Sequence, residues 1–169
     1  MTQNLKQEVD IVENKTFSSP EIQQYMPNSK WTLYSDLQKV NDLRKFMNGK
    51  TNLLILLDPP HTAIGHFVLL IVKPNKQSIF FDPYGNSINK LLKIMNLPNH
   101  LTKLLQYYNV SENSHQYEIL SPKVQTCGRW CLVRSLHAEM SNIQFAQYMK
   151  FKNIKMDELV VLLTHCLLR

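Results

Sequence analysis

Gln125-Thr126-Cys127-Gly128-Arg129-Trp130-Cys131-Leu132-Val133-Arg134-Ser135-Leu136 is the stretch around which the remaining chain is read. From Cys127 onward, Leu132, Val133, Leu136 and Met140 recur at helical spacing, which predicts an amphipathic helix with one buried face. The preceding loop ends where that helix begins, so Cys127 stands at the positive end of a helix dipole among unpaired backbone N–H groups. Such a setting favours the thiolate and predicts a lowered thiol pKa, the condition for a nucleophile. Gly128 leaves room for a carbonyl to approach the backbone, and the Cys127 amide is placed to donate to a developing oxyanion. A Cys-Gly pair opening a helix is equally ordinary packing, so the reading turns on whether a histidine and an orienting group stand elsewhere.

The totals set the frame. At 169 residues the chain has length for one domain with a real core. Residues 1–15 are polar and charged and read as a disordered tail without a signal peptide, leaving 16–169 as a single domain. The 3 cysteines, Cys127, Cys131 and Cys166, form neither a disulfide framework nor a paired zinc pattern. A reducing, intracellular setting is expected, with no metal and no cofactor. No apolar run is long enough for a membrane span. The excess of 19 Lys and Arg over 13 Asp and Glu, a net charge of +6, permits contact with nucleic acid or an acidic partner, but the lysines are scattered. No sequence feature fixes an oligomeric state.

Ser19, Pro20 and Glu21 mark a helix start over 16–25, ended by Pro27. Trp31–Tyr34 is a short aromatic and β-branched run, and Ser35 and Asp36 then open a helix predicted to reach Phe46. Asn52–Leu57 is a continuous apolar run of strand length, suited to burial on both faces. His66 begins a second such run through Val72. A turn at Pro74, Asn75 and Lys76 leads to a third over Ser78–Asp82, closed by Pro83-Tyr84-Gly85. Residues 86–108 read as two helices broken at Pro98, Gln116–Leu120 as a short strand, and Asn142–Phe151 and Asp157–Leu168 as two further helices. The fold class is α+β: a small, mostly antiparallel sheet packed against the central helix, with further helices around it.

A cysteine nucleophile needs a base, and the base needs an orienter. His66 stands at the mouth of one strand and Asp82 at the far end of its hairpin partner, so the two are expected as neighbours across the ladder. His61 is an alternative base, in a Pro-Pro loop with no strand to hold it.

Three motifs then occur in order: Gly65-His66-Phe67, Phe81-Asp82-Pro83-Tyr84-Gly85, and Thr126-Cys127-Gly128-Arg129-Trp130-Cys131. In this combination the sequence resembles the adenovirus-type maturation proteases, of the same broad class as the SUMO-specific Ulp proteases. Tyr34-Ser35-Asp36-Leu37 also resembles the N-terminal region of proteases of virophages and Polinton-like elements. The resemblance covers residues 30–150. It implies an adenain/Ulp-like fold, with Cys127 as nucleophile, His66 as base and then acid, and Asp82 as orienter of the imidazole. Family members commonly carry Trp where Phe67 stands. They also place a Gln, the oxyanion donor, at the position occupied here by Leu120 or Ser121, so Gln125 through its amide, or Ser121 more weakly through its hydroxyl, is taken to stand in for it. The resemblance further implies processing of capsid and virion precursors beside small residues, possible DNA association, and a place in the virion and the cytoplasmic virus factory of the host cell. Alternatives are a protease deconjugating ubiquitin-like proteins with the same triad, a triad acetyltransferase, and a non-catalytic basic module on DNA or capsid.

Overall fold

The structure, a computed structural model, describes residues 24–59, 65–119, 125–150 and 154–165. The N-terminal tail, most of the helix expected over 16–25, and His61, Leu120, Ser121 and Cys166 lie outside the described residues.

The apolar runs become the centre of a five-stranded sheet of order β1-β2-β3-β4-β5: β1 Ser29–Leu33, β2 Asn52–Leu57, β3 His66–Val72, β4 Gln77–Phe81 and β5 Asn109–Glu112. The inner pairs β2–β3 and β3–β4 are antiparallel, and the edge strands β1 and β5 run parallel to their neighbours. Alternation along β3 explains the unbroken hydrophobicity. Leu69 and Ile71 enter one core with Phe81, Trp130 and Val160, while Val68 and Leu70 enter a second, on the opposite face, with Tyr34, Phe80 and Leu91. A strand covered on both sides has no polar side to show.

On the second face lie a 3-10 turn, Tyr34–Lys39, and the helices α1 Leu43–Met47, α2 Ile88–Ile94 and α3 His100–Leu104. The helix expected from Ser35 to Phe46 is divided. Val40 is extended at φ −90° and ψ 120°, and Asp42 starts α1 afresh by accepting from the Lys45 amide at 3.1 Å, a competing local hydrogen bond typical of Asp. The break at Pro98 is observed, and its carbonyl accepts from the Tyr34 hydroxyl at 2.5 Å.

The first face is covered by α4 Cys127–Leu136, α5 Asn142–Tyr148 and α6 Met156–His165. α4 differs from the one-faced helix read from its spacing: every residue from Gly128 to Arg134 is buried, because it packs on β3 and is covered by α6. Arg134 is tolerated there because its guanidinium donates to the carbonyls of His137 at 2.5 Å and Met140 at 2.8 Å, closing the negative end of the helix. Met140 lies beyond the helix.

The strand expected at Gln116–Leu120 is replaced by β5, seven residues earlier. Asn113 ends β5: its side chain accepts from the Asp82 amide and donates to the Asp82 carbonyl, both at 2.8 Å. The chain then crosses the Asp82–Gly85 turn without ladder pairing, held by the Tyr117 and Glu118 amides on the Pro83 carbonyl at 2.8 and 3.1 Å. Among the described residues no helix is long and apolar enough to cross a membrane.

Candidate active site

Three segment ends meet at one end of the sheet. The β3–β4 register sets Leu69 against Phe81; continued, it sets Asp82 against Val68, so His66 and Asp82 are diagonal neighbours rather than directly opposed. The side chains close that gap, with His66 Nε2 2.6 Å from Asp82 Oδ1. Gly65 eases the approach of this strand start, since a Cβ there would sit 3.1 Å from the Leu57 carbonyl oxygen, a tighter contact than most side chains make.

Asp82 is fixed by its turn. Oδ1 also accepts from the Tyr84 amide at 3.1 Å, and Oδ2 accepts from the Asn86 backbone and side-chain amides at 3.0 and 2.9 Å. Gly85 closes the turn at φ +72°, a conformation that favours glycine. Burial pushes the Asp82 carboxyl up, but the hydrogen bond and charge of His66, with the Tyr84 and Asn86 donors, outweigh it and hold the group below the usual Asp range. It is therefore an anion at neutral pH. The Tyr84 ring stacks on the imidazole at 4.4 Å between centroids. With Nε2 held by Asp82, Nδ1 is the working nitrogen; it is buried and has no hydrogen-bond partner among the described residues.

Cys127 is the first residue of α4, as its sequence predicted. One nitrogen of His66, the sulfur of Cys127 and one carboxylate oxygen of Glu118 all lie within 4.8 Å of one another. The thiol, however, is not lowered. Burial, then the Glu118 charge, push it up to about 12, against backbone hydrogen bonds from Phe67 and Gly128. Desolvation outweighs the helix terminus, and the resting group is a neutral thiol.

Glu118 was not singled out from the sequence. It is buried at 1% exposure; Oε1 accepts from the Thr126 amide at 2.9 Å, and Oε2 is buried with no partner among the described residues. Burial pushes its pKa up to about 8, with Asp157 and Asp82 adding to the rise and the Thr126 and Cys127 amides opposing it. Asp157, at the start of α6, holds this loop to the helix by accepting from the Ile119 amide at 3.0 Å and the Thr126 hydroxyl at 2.5 Å. The signal in the sequence was one acid between Tyr117 and Ile119, which hydropathy alone reads as a strand.

Gln125 precedes this corner, partly exposed. Among the described residues no contact places its amide at the sulfur.

No protein-family model matches the chain. It is similar to a virophage protein. The relative is the uncharacterized protein V9 of Sputnik virophage, 24% identical over 175 residues, spanning 93% of this chain and 98% of that protein. Similar solved structures include ChlaDub1 from Chlamydia trachomatis, with a TM-score of 0.46 and 11% identity over 98% of this chain and 77% of that one. Another is the central domain of the uncharacterized Lpg1148 protein from Legionella pneumophila, with a TM-score of 0.48 and 14% identity over 92% and 98%.

Chemically, the cluster offers a partly buried thiol, an imidazole oriented by a carboxylate anion, and a carboxyl of raised pKa in front of a helix N-terminus. These are the parts of a nucleophile, a proton carrier and a site for negative charge.

Proposed function

We propose that the chain is a cysteine endopeptidase that uses Cys127, His66 and Asp82. The observation that carries the reading is the 2.6 Å His66–Asp82 contact at the same corner as the Cys127 sulfur, within 4.8 Å of the imidazole. Because the thiol is neutral at rest, the proton stays on sulfur until a substrate carbonyl arrives. His66 Nδ1 then takes it as sulfur attacks, the negative charge moves to the carbonyl oxygen near the Cys127 amide, and the imidazolium is stabilised by Asp82. Collapse of the adduct expels the amine with the proton from His66. Water, activated by the same imidazole, cleaves the thioester.

The substrates we propose are capsid and virion precursors encoded alongside this chain, cut beside small residues. Support for a viral context comes from the virophage relative and from the three motifs. The net charge of +6 adds DNA association to the proposal, read as binding that weakens steeply with salt.

The test is incubation with the precursor capsid protein, with and without a thiol alkylator, followed by intact-mass analysis. Discrete fragments that disappear on alkylation and with Cys127→Ala are expected. Cleavage that survives Cys127→Ala removes the assignment, and cleavage only of a ubiquitin-like C-terminal reporter replaces the substrate class.

A further inference from the structure

Resting on the protease reading, we propose that Glu118 is a catalytic residue that works as a neutral carboxylic acid, its Oε2 hydroxyl donating a hydrogen bond to the oxyanion formed on the scissile carbonyl. In this assignment Glu118, rather than Gln125, is the side-chain donor.

The geometry has three parts. Glu118 is anchored, with Oε1 bonded to the Thr126 amide at 2.9 Å and its backbone on the Pro83 carbonyl. It is near the chemistry, with a carboxylate oxygen within 4.8 Å of both the Cys127 sulfur and the His66 ring. And Oε2 is a buried polar atom with no partner among the described residues. A buried group left unmatched is costly, and such an atom calls for a reason. An arriving oxyanion supplies the acceptor that the free protein lacks.

The charges around it favour the neutral form. Glu118 is faced by Asp157 from α6, by Asp82 and Tyr84 from the turn after β4, by His66 from β3 and by the Cys127 thiol from α4. Burial and the acidic groups together lift the carboxyl to about 8, so at pH 7 protonated Glu118 exceeds the anion by about ten to one. A carboxylic acid kept neutral by its surroundings donates well to an oxyanion. The ionised form does the opposite: it has no proton to donate, and its charge opposes both the thiolate and the oxyanion. The proton stays on Glu118 throughout; only the hydrogen bond strengthens as charge develops.

The experiment measures kcat and KM against pH for cleavage of the precursor by wild type, Glu118→Gln, Glu118→Ala and Gln125→Ala, with the infrared carboxylic-acid band recorded in parallel. For wild type, kcat should fall above about pH 8 as one proton leaves. Glu118→Gln, which donates through an amide at any pH, should stay within about tenfold of wild type at pH 7 and lose that falling limb. Glu118→Ala should lose about 100- to 1000-fold in kcat with KM little changed. A protonated-carboxyl band present at pH 7 and missing in Glu118→Gln is expected, and reads the neutral acid without using activity. Equal kcat for wild type and Glu118→Ala, an unchanged falling limb in Glu118→Gln, or a loss of this size from Gln125→Ala alone overturns the role of Glu118 and leaves the protease reading standing. A wild type that cleaves nothing removes both.

Discussion

Replacing Glu118 by an amide of the same shape should change how stability depends on pH, independently of any substrate. The folded-state pKa of Glu118 is raised from 4.5 to about 8, so between these values the folded protein holds a proton that the unfolded chain has released. Stability then falls as pH rises through the window; the sign is that of a group whose charged form the fold disfavours. Below 4.5 both states are protonated and the contribution is fully present; above about 8 both are ionised and it is lost. With about 1.4 kcal/mol for each pH unit, the integrated effect from 4.5 to about 8 is at most about 5 kcal/mol. The side-chain amide of the Glu118→Gln variant does not titrate. Urea denaturation of both proteins at half-unit steps from about pH 4.5 to about 8.5 should give curves that meet at the acid end and separate by several kcal/mol at the alkaline end, Glu118→Gln being the more stable. Asp82, held below its usual range, acts with the opposite sign at lower pH and is common to both, so it cancels in the difference. Curves that stay parallel across the window would mean that burial does not keep Glu118 protonated.

Three further outcomes follow from the same geometry. Asp82→Asn must turn its new NH2 either toward His66 Nε2 or toward the Asn86 donors that both bond Oδ2; single-turnover acylation should slow by about 10³- to 10⁴-fold, and an unchanged rate removes Asp82 from the mechanism. Cys131, fully buried with its sulfur 3.5 Å from the Phe67 carbonyl, should resist alkylation while Cys127 reacts, and Cys131→Ala should keep most activity at a stability cost of about 1 kcal/mol; peptide mapping after brief iodoacetamide treatment decides. Gly85→Ala places a Cβ 2.9 Å from the His115 carbonyl at φ +72°, so the urea midpoint should drop by the equivalent of about 1–3 kcal/mol, with kcat falling too because this turn carries Asp82.

What the sequence shows of this fold divides by the range of the forces involved. The buried strands Asn52–Leu57 and His66–Val72 are legible because a run apolar at every position has few other uses. The start of α4 and the helix break at Pro98 are legible because they depend on local backbone chemistry. The split of the Ser35–Phe46 segment is not, since Leu37, Leu43 and Met47 fit one helical stripe and only the Asp42 cap divides them. The misplaced strand at Gln116 has a tertiary cause. Val110 is paired with Ser78, but its segment, Asn-Val-Ser-Glu, has weak strand propensity of its own, whereas Tyr117 and Ile119 have more and are irregular because Pro83 takes their stretch's amide bonds. Likewise the backbone donors at the helix start act on the Cys127 thiol in the expected direction, but desolvation acts more strongly in the opposite one.

Negative charges on Glu118 and Cys127, held within 4.8 Å of each other, repel by about 3.5 kcal/mol at an effective dielectric of about 20, equivalent to about a 300- to 400-fold loss in rate when the second charge is the forming thiolate. Asp82 already supplies one buried anion to this corner, and it is matched by four donors: the His66 ring, the Tyr84 and Asn86 backbone amides and the Asn86 side chain. Glu118 is met more sparsely, by the Thr126 amide at 2.9 Å and more weakly by that of Cys127. The two carboxyls thus stand in environments that push them apart, one ionised and one neutral. Cys127 is raised partly by the Glu118 charge, so protonating Glu118 also eases thiolate formation. One proton on one buried oxygen therefore removes a repulsion and adds a donor at the same step, which is why the kinetic limb near pH 8 should appear in kcat rather than in KM.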